Sequence, residues 1–385
     1  MSRIAMFGGT FNPPHNGHIA AAKACVEQLN LDELIFIPTA IPPHKALPAL
    51  TATADERLEM TRLASQLVPS SRVSDMELAR GGASFTSDTL QSLRESYPDD
   101  QLWIIIGTDM AETFEGWHQP QKICDLARLA LVVRGEGEKE RISSCAQRIK
   151  EKFGARIDII DNTPLEMSST EARGGNSDEL PQKVRSYISD KCLYVDIDAL
   201  RRKVKGRLSE KRFLHTVGCE EMAVKLAQIY GGEERLCRVA ALLHDITKEL
   251  SLTQQLNLCE KWSIIHDYDS DNIDAVIHAD TAAAMAEHEF GFGTRVCSAI
   301  RKHTVGAEEM SLEDKIVFVA DACEENRTYP EADKVREIAY SDLDEAIKYI
   351  VRRTAERVAQ KGKKPYYMCE KVLKAFSKDR ERNGI

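Results

Sequence analysis

Two histidines follow two glycines near the start of the chain, in the stretch GGTFNPPHNGH that runs from Gly8 to His18. The apolar residues before this stretch predict a strand, and the residues after it predict a helix that begins near Asn16. Glycines let the backbone turn sharply and leave N–H groups open to an anion. His15 and His18 would lie on one side of the helix start, at the positive end of its dipole. This arrangement predicts a binding site for a phosphate chain.

A second group of candidate ligands lies in the other half of the chain. His244 and Asp245 are adjacent at the end of the apolar helical run AALLHDI, where a charged pair is costly to bury without a partner such as a metal ion. Four further candidates lie within or at the ends of apolar helical segments: His215, His278, His303 and Asp321. Six imidazole and carboxylate ligands suit two divalent ions of the iron, manganese or cobalt type better than a structural zinc site. His266 and Asp267 form a similar pair, but they lie in an acidic, turn-like stretch and are expected at the surface.

The elements that position these residues differ between the two halves. Five short apolar runs alternate with helical stretches in the first half: RIAMF, ELIFIP, QLWIIIG, RLALVVR and RIDIID. This alternation predicts an α/β, doubly wound (Rossmann-like) parallel sheet. From Ala199 onward nearly every window has a 3.6-residue apolar period, which predicts an all-α domain. Since 385 residues exceed one ordinary core, we expect two domains, residues 1–195 and 198–385.

Composition excludes several classes of protein. The net charge is −9 and no long basic block occurs, which argues against a nucleic-acid partner. No apolar run approaches the ~18 residues of a membrane span, so no membrane association is expected. The chain starts without a signal-like segment, and its ten cysteines occur singly, as is typical of reduced thiols. These features predict a soluble, cytoplasmic protein. Whether the chain forms a homo-oligomer is left open.

The opening motif resembles the HxGH signature of the nucleotidyltransferase superfamily, in particular that of bacterial nicotinate mononucleotide adenylyltransferases. Other stretches are similar to that family: PPHK from Pro42, RLEMTRLA from Arg57, SFTSDTL from Ser84, GTDM from Gly107, Trp117, and MSSTEAR from Met167. Together they cover residues 1 to about 195. Two departures are visible, because the family commonly has Asp where Asn12 stands and Tyr where Phe85 stands.

This resemblance implies transfer of an adenylyl group from ATP to nicotinate mononucleotide, with release of pyrophosphate. The acceptor phosphate is itself the nucleophile, so the enzyme positions the reactants and neutralises their charge. The resemblance assigns catalysis to His15, His18, Lys45 and Arg173, with Mg²⁺ accompanying ATP. It places Thr86 and Trp117 at the nicotinate and Gly107 and Asp109 near the ATP ribose. The other binding residues are Gly8, Gly9, Thr10, Phe11, Ser168, Ser169 and Thr170.

Alternatives stay open for the first domain. Trp117 could pack in the core instead of stacking on a pyridine ring. Ser168 and Glu171 fit a capping box, so the MSSTEAR stretch could only cap a helix instead of adding a second anion site. A sister enzyme that adenylylates phosphopantetheine, or one that transfers a cytidylyl group, would share the opening motif.

From about residue 198 to near the end the chain resembles HD-domain phosphohydrolases, closely the bacterial branch that splits diadenosine tetraphosphate into two ADP. HTVGCEEMA, LLHDITK and IRKHTVGAEEMSLEDKIVFVADACEENRTYP carry this resemblance. It implies two transition-metal ions, with iron favoured. His215, His244, Asp245 and Asp321 would hold one ion, and Asp245 would bridge to a second ion held by His278 and His303. Two such ions make a nucleophile available at neutral pH, and Asp245 counts among the catalytic residues for that reason.

The sequence leaves the substrate of the helical domain open. Lys248 and Arg327 could bind substrate phosphates, or they could be solvated charges. A nucleoside mono- or triphosphate could replace the dinucleotide as substrate. The domain could also be a regulator that binds nucleotides without cleaving them.

Overall fold

The computed structural model describes residues 1–42, 50–133, 137–162, 168–173, 177–266 and 273–382. The chain divides into two compact units, Met1–Tyr187 and Ile188–Ile385. The finer assignment of residues 1–195 and 198–385 to separate domains stays a prediction.

The first unit is built on a six-stranded parallel sheet with the order β3-β2-β1-β4-β5-β6. The strands are β1 (Arg3–Gly9), β2 (Glu33–Pro38), β3 (Ser71–Val73), β4 (Gln101–Gly107), β5 (Arg128–Val132) and β6 (Ile157–Ile160). The strand order changes direction between β1 and β4, which are neighbours in the sheet. In this pair Arg3 lies opposite Gln101 and Met6 lies opposite Ile104. A crevice at the carboxyl ends of these two strands is where doubly wound sheets bind ligands.

The helices of this unit connect its parallel strands. They are α1 (Asn16–Gln28), α2 (Ala54–Ser65), α3 (Met76–Arg80), α4 (Thr86–Ser96), α5 (Thr108–Thr113), α6 (Pro120–Leu126), α7 (Glu138–Phe153) and α8 (Ser169–Arg173). The next helix, α9 (Gln182–Asp190), contains the point of division between the units. Five of the six strands match the five predicted apolar runs. The sixth, β3, was not predicted because it is a three-residue edge strand of half-buried and exposed residues.

The second unit is helical throughout its described residues, as its periodicity predicts. Its helices are α10 (Ile197–Lys205), α11 (Glu210–Tyr230), α12 (Glu234–Leu243), α13 (Leu252–Lys261), α14 (Ile273–His288), α15 (Thr294–Lys302), α16 (Leu312–Cys323), α17 (Pro330–Ala339), α18 (Leu343–Gln360) and α19 (Met368–Arg382). Serine side chains cap three of them, since Ser209, Ser251 and Ser311 accept hydrogen bonds from first-turn amides. Apolar residues of α11, α16 and α18 form one continuous core.

All ten cysteines are buried and unpaired. Burial raises the pKa of the Cys25, Cys192 and Cys323 thiols to about 12 in each case. Within the described ranges, no helix has both the length and the hydrophobicity that crossing a membrane requires.

Candidate functional site

A cavity of about 720 Å³ lies at the carboxyl ends of β1 and β4 in the first unit. Its volume is in the range of small-molecule sites. Eight residues predicted from the sequence line it: Gly8, Gly9, Thr10, His18, Thr86, Gly107, Asp109 and Trp117. They come from four separate stretches of the chain, which the sheet order brings to one crevice.

His15 and His18 lie together at the start of α1, as their spacing predicts. Their ring centroids are 3.8 Å apart, and the backbone N–H of His15 donates to Nδ1 of His18 over 3.2 Å. A neutral His18 ring whose Nδ1 accepts must carry its proton on Nε2. The half-buried His18 therefore presents an N–H donor at the cavity wall.

Phe11 is a core residue in this structure. It is 2 % exposed, and its ring packs on Phe7, Phe36 and His18 with centroids 5.7, 5.8 and 5.2 Å away. A Cβ at Gly9 would lie 3.0 Å from the Phe11 ring, so this contact explains the glycine. The aromatic packing fixes the orientation of His18.

Arg57 of α2 holds the loops around the cavity, although sequence reasoning gave it no role. Its guanidinium is buried and donates to the carbonyl oxygens of Thr10 (2.9 Å), Thr39 (2.7 Å) and Ala40 (3.3 Å). Thr10 follows β1 and Thr39 follows β2, so one cation ties together the ends of two neighbouring strands. The sequence signals were the family-like stretch RLEMTRLA, which begins at Arg57, and an arginine among apolar helical residues.

Asn12 and Arg173 connect the opening turn to later parts of the chain. Asn12 is buried, and its side-chain oxygen accepts from the amide of Ala52 over 3.2 Å. Arg173 donates from Nη1 to the Asn12 carbonyl (2.5 Å), and the Ser169 hydroxyl donates to the Pro13 carbonyl (3.0 Å). These bonds bring α8 to the turn that carries His15.

The predicted capping box at α8 is confirmed. The Glu171 amide donates to Ser168 Oγ (3.2 Å), and the Ser168 amide donates to Glu171 Oε2 (2.9 Å). The Thr170 hydroxyl accepts from Arg173 Nη2 over 3.0 Å. Lys45 lies outside the described residues, so its predicted place at ATP is not tested.

The far wall of the cavity combines aromatic rings with one buried acid. Trp117 lines the cavity and also packs on the core, with its ring 5.4 Å from that of Phe114. The Phe85 and His118 rings lie 4.4 Å apart between centroids with their planes tilted by 37°, and both residues line the cavity. Glu77 is buried there and accepts a hydrogen bond of 2.7 Å from Thr89. Burial raises the pKa of the Glu77 carboxyl.

In the second unit, the six predicted ligands converge on one buried point. His215 comes from α11 and His278 from α14, while Asp321 lies in the last turn of α16. His244 and His303 end α12 and α15. Two overlapping groups of side chains could each hold a metal ion, because within each group the potential ligand atoms all lie within 4.8 Å of one another. One group is His215, Cys219, His244 and Asp321, and the other is His244, Asp245 and His303. The second unit therefore holds a buried histidine and aspartate cluster suited to a metal.

His244 and His303 are oriented by the same local device. Each follows the last residue of a helix and donates from Nδ1 to the carbonyl three residues earlier, Ala241 or Ile300, over 2.6 Å. Helix ends leave such carbonyls unpaired, and this bond leaves the Nε2 lone pair facing inward. Nε2 of His244 is buried and has no hydrogen-bond partner among the described residues. An orphaned inward lone pair is what a metal ligand requires.

Asp245 lies between the two groups of histidines. Its Oδ2 faces His244 and His215 Nε2 at 3.4 and 3.7 Å, and its Oδ1 faces His278 and His303 Nε2 at 3.2 and 3.6 Å. One carboxylate thus offers a different oxygen to each pair of imidazoles. This geometry fits a bridging ligand.

The electrostatics of the cluster are those of a site built for cations. For Asp245, burial acts to raise the pKa, but the nearby His244 and the other imidazoles hold it well below its usual range. For His278, burial is the main cause that lowers the pKa, to about 3. The structure therefore favours a negative Asp245 beside a neutral His278, which are the protonation states that bind a metal. Against the effect of burial, Asp321 and the other acidic neighbours raise the pKa of His215 to about 10, and Asp245 raises that of His244 well above its usual value, so these two imidazoles must lose a proton when a metal binds.

Three residues that support the cluster were missed by sequence reasoning. Glu324 is buried and lies 3.1 Å from His215 Nδ1, which orients that ring. A side chain at Gly218 would overlap the Glu324 carboxylate, so the glycine is required there. Arg212 donates to Asp245 Oδ2 over 2.7 Å. Cys219, one helical turn after His215, lies with its Sγ 3.5 Å from His215 Nε2.

Lys248 and Arg327 lie beside the cluster and are half-buried. Lys248 Nζ donates toward His278 Nδ1 over 3.1 Å, and burial lowers the pKa of this lysine. Arg327 donates to Asp321 Oδ1 over 2.9 Å. His266 is half-buried rather than exposed, and its neighbour Asp267 lies outside the described residues.

Comparison with known proteins agrees with this division. Residues 6–174 match the family described as cytidylyltransferase-like, and residues 212–326 match the HD domain. A Mycoplasma pneumoniae protein named "Probable nicotinate-nucleotide adenylyltransferase/Ap4A hydrolase" is 29% identical over 329 residues, covering 85% of this chain and 90% of its own length. A protein of the same name from Mycoplasma genitalium is 27% identical over 360 residues, which cover 90% of this chain and 97% of that protein.

The first half also has closer relatives. A "Probable nicotinate-nucleotide adenylyltransferase" of Citrifermentans bemidjiense is 36% identical over 214 residues, which cover 50% of this chain and 99% of that protein.

Among solved structures, a crystal structure titled as a "predicted HD superfamily hydrolase involved in NAD metabolism", from Clostridium acetobutylicum, is also similar. It aligns with 48% of this chain and 98% of its own chain, at 26% identity and a TM-score of 0.46. The chain therefore belongs to the nicotinate-nucleotide adenylyltransferase family and continues, beyond the length of that enzyme, with an HD domain.

Proposed function

We propose that the chain is a bifunctional enzyme. Its first unit transfers an adenylyl group from ATP to nicotinate mononucleotide, giving nicotinate adenine dinucleotide and pyrophosphate. Its second unit hydrolyses diadenosine tetraphosphate symmetrically to two ADP. The observation that carries this proposal is that one chain holds both a nucleotide-sized cavity at the β1–β4 crevice and a cluster of six histidine and aspartate side chains. Relatives that match most of the chain are named for these same two activities.

In the first unit we assign the catalytic work to positioning and charge neutralisation. His18 lines the cavity and would donate from Nε2 to the ATP phosphates, while His15 holds His18 through its backbone amide. Arg173 and Lys45 would add positive charge, with Ser168, Ser169 and Thr170 at the same end, and Mg²⁺ would accompany ATP. Such donors stabilise charge that develops at the α-phosphorus in the transition state.

The acceptor end of the cavity supports nicotinate mononucleotide as the second substrate. Trp117 and the Phe85–His118 pair offer aromatic faces on which a pyridine ring can stack. Thr86 opens α4 and lines the same wall, where its hydroxyl would donate to the nicotinate carboxylate. Gly107 and Asp109 lie across the crevice, where the ATP ribose would bind. Phe11 contributes through the packing that orients His18.

In the second unit the cluster fits two divalent ions, and we propose iron. His215, His244 and Asp321 would hold one ion, His278 and His303 the other, and Asp245 would bridge them. The support is the orphaned Nε2 of His244 and the two-sided placement of Asp245. When bound, the two ions would supply a nucleophile at neutral pH and stabilise charge on the phosphorus that is attacked.

The chain's own residues would align the tetraphosphate at this centre. Lys248 lies against His278, and Arg327 lies against Asp321, so one cation flanks each side of the cluster. Both would neutralise non-bridging phosphate oxygens and so orient the central anhydride bond. Glu324 and Arg212 hold His215 and Asp245 in place through their hydrogen bonds.

A panel assay tests both activities on the same protein. Full-length chain loaded with Fe²⁺, Mn²⁺ or Co²⁺ is incubated with ATP and nicotinate mononucleotide plus Mg²⁺, and separately with diadenosine tetraphosphate and with nucleoside mono-, di- and triphosphates. We expect nicotinate adenine dinucleotide in the first reaction and only ADP from the dinucleotide. Metal binding without turnover of any nucleotide would instead identify the second unit as a regulator.

A further inference from the structure

A small cavity lies beside the metal-binding cluster, and of its lining residues only His303, Asp321 and Arg327 have a role in the function proposed so far. It has a volume of about 180 Å³, and His303 and Asp321 of the cluster form part of its wall. Arg327 and, from α18, Arg353 and Arg357 also line it. Arg353 and Arg357 lie beyond residues 212–326, the segment that matches the HD domain.

The charge lining this cavity points to an anion. Three arginines and two carboxylates, Asp321 and Glu331, line it, and Glu356, which does not line it, pairs with Arg353 over 2.6 Å. The Nε–H of Arg353 is buried and finds no hydrogen-bond acceptor among the described residues. A buried N–H without an acceptor costs free energy, which a shift of Arg353 onto a ligand oxygen would recover, since its Nη atoms already pair with Glu331 and Glu356.

The arginines are held in place before a ligand binds. The Tyr329 ring lies 5.9 Å from the Arg327 guanidinium and 5.1 Å from that of Arg357. The Tyr329 hydroxyl donates to the carbonyl of Ala322 in α16, which fixes the ring. Guanidiniums held on an aromatic face lose little further freedom when they bind a planar or tetrahedral anion.

The size of the cavity decides what the anion is. Pockets for whole drug-sized molecules have volumes of about 300–1,000 Å³, so a cavity of about 180 Å³ suits one or two phosphate groups better than a whole nucleotide. We propose that the arginine pocket, formed by Arg327, Arg353 and Arg357, binds a non-reacting phosphate of a phosphoanhydride chain whose next phosphate lies at the metal centre. This inference rests on the proposed hydrolase activity and adds the reason why that site would favour a long polyphosphate.

Glu331 competes with the ligand for this pocket. Its two oxygens lie 2.6 Å from Arg353 and 3.4 Å from Arg357. An arriving phosphate must displace this carboxylate from the arginines. Removing its charge should therefore strengthen phosphate binding, whereas a purely structural role for Glu331 predicts the opposite or no change.

The test uses the full chain loaded with Mn²⁺ and three variants of α18. Arg353→Met and Arg357→Met remove one charge each and keep an unbranched apolar stem, and Arg352→Met is the control because it is exposed on the same helix and does not line the cavity. Two rates are measured: hydrolysis of diadenosine tetraphosphate, and hydrolysis of bis(p-nitrophenyl) phosphate, which has no phosphoanhydride chain. ADP is then used as a competitive inhibitor of the second reaction.

We expect Arg353→Met and Arg357→Met each to raise the KM for the dinucleotide and the inhibition constant of ADP by about tenfold, equivalent to ~1.4 kcal/mol. The turnover of bis(p-nitrophenyl) phosphate should stay within twofold of the parent rate, which also shows that the variants fold. Glu331→Gln should lower the inhibition constant of ADP. If Arg353→Met does not fold, Glu331→Gln and Arg357→Met still decide the question.

The outcomes separate this inference from the function on which it rests. Equal KM and inhibition constants in the parent, Arg352→Met, Arg353→Met and Arg357→Met overturn the arginine pocket while the hydrolase activity stands. A parent chain that cleaves bis(p-nitrophenyl) phosphate but not the dinucleotide overturns the proposed substrate. In that case a raised inhibition constant of ADP in Arg357→Met still supports the pocket.

Discussion

Replacing Arg57 with methionine should destabilise the first unit by about 3 kcal/mol. Arg57 makes two short bonds, of 2.9 and 2.7 Å, to the carbonyls of Thr10 and Thr39, and a longer one of 3.3 Å to Ala40. A hydrogen bond to a charged group contributes ~1.5 kcal/mol or more. Counting only the two short bonds gives about 3 kcal/mol, and methionine refills most of the volume so that little cavity cost is added.

The assay is urea unfolding followed by tryptophan fluorescence. The chain has three tryptophans, Trp103 and Trp117 in the first unit and Trp262 in the second. A Trp262→Phe background makes the signal report on the first unit alone. The KM for ATP should rise in parallel, because Thr10 and Thr39 both line the cavity.

Arg62→Met is the matched control on the same helix. Arg62 is 54% exposed and pairs with Glu59 over 3.6 Å, so its loss should cost less than ~0.5 kcal/mol. The reasoning is refuted if Arg57→Met costs less than ~1 kcal/mol and leaves the KM for ATP unchanged. Arg57 would then be a buried charge whose three carbonyl contacts do not hold the loops.

Four further changes test the two sites. His18→Ala should lower adenylyl transfer ~10²- to 10³-fold, measured as nicotinate adenine dinucleotide formed, with hydrolysis of diadenosine tetraphosphate intact. Trp117→Ala should raise the KM for nicotinate mononucleotide more than that for ATP; equal increases would indicate core damage. Asp245→Asn should abolish dinucleotide hydrolysis and reduce bound metal in elemental analysis, whereas Asp280→Asn, a buried aspartate paired with Arg301, should not. Because burial raises the pKa of Glu77 in the folded state, its ionisation opposes folding above the ordinary glutamate pKa. Glu77→Gln should therefore increase the free energy of unfolding at pH 8, and this gain should vanish at pH 4.

The fold was largely predictable from the sequence because its strands are buried on both faces. Runs such as QLWIIIG and ELIFIP are continuous apolar segments, which is typical of central parallel strands. The edge strand β3 has only the residues Ser71, Arg72 and Val73, so no apolar pattern marks it. The order of the strands also needs long-range pairing that local pattern does not contain.

The candidate sites were predictable where residue type alone indicates chemistry. Histidines and aspartates at the ends of apolar helices identified the metal cluster, and the structure brings all six together. Glu324 and Arg212 were missed, since a carboxylate or guanidinium that orients a ligand looks in sequence like any surface charge. Arg57 was missed for a related reason, because its partners are backbone carbonyls, which no side-chain pattern reveals.

Because every thiol is buried, the cysteines can report when either half of the protein unfolds and exposes its core. A thiol shielded from water with a raised pKa reacts slowly with alkylating agents, because the thiolate is the reactive form. Cys25, Cys124 and Cys145 belong to the first unit, and the other seven cysteines belong to the second. A short pulse of iodoacetamide at rising urea, read by mass spectrometry, therefore labels each half of the chain when that half opens, without any engineered probe.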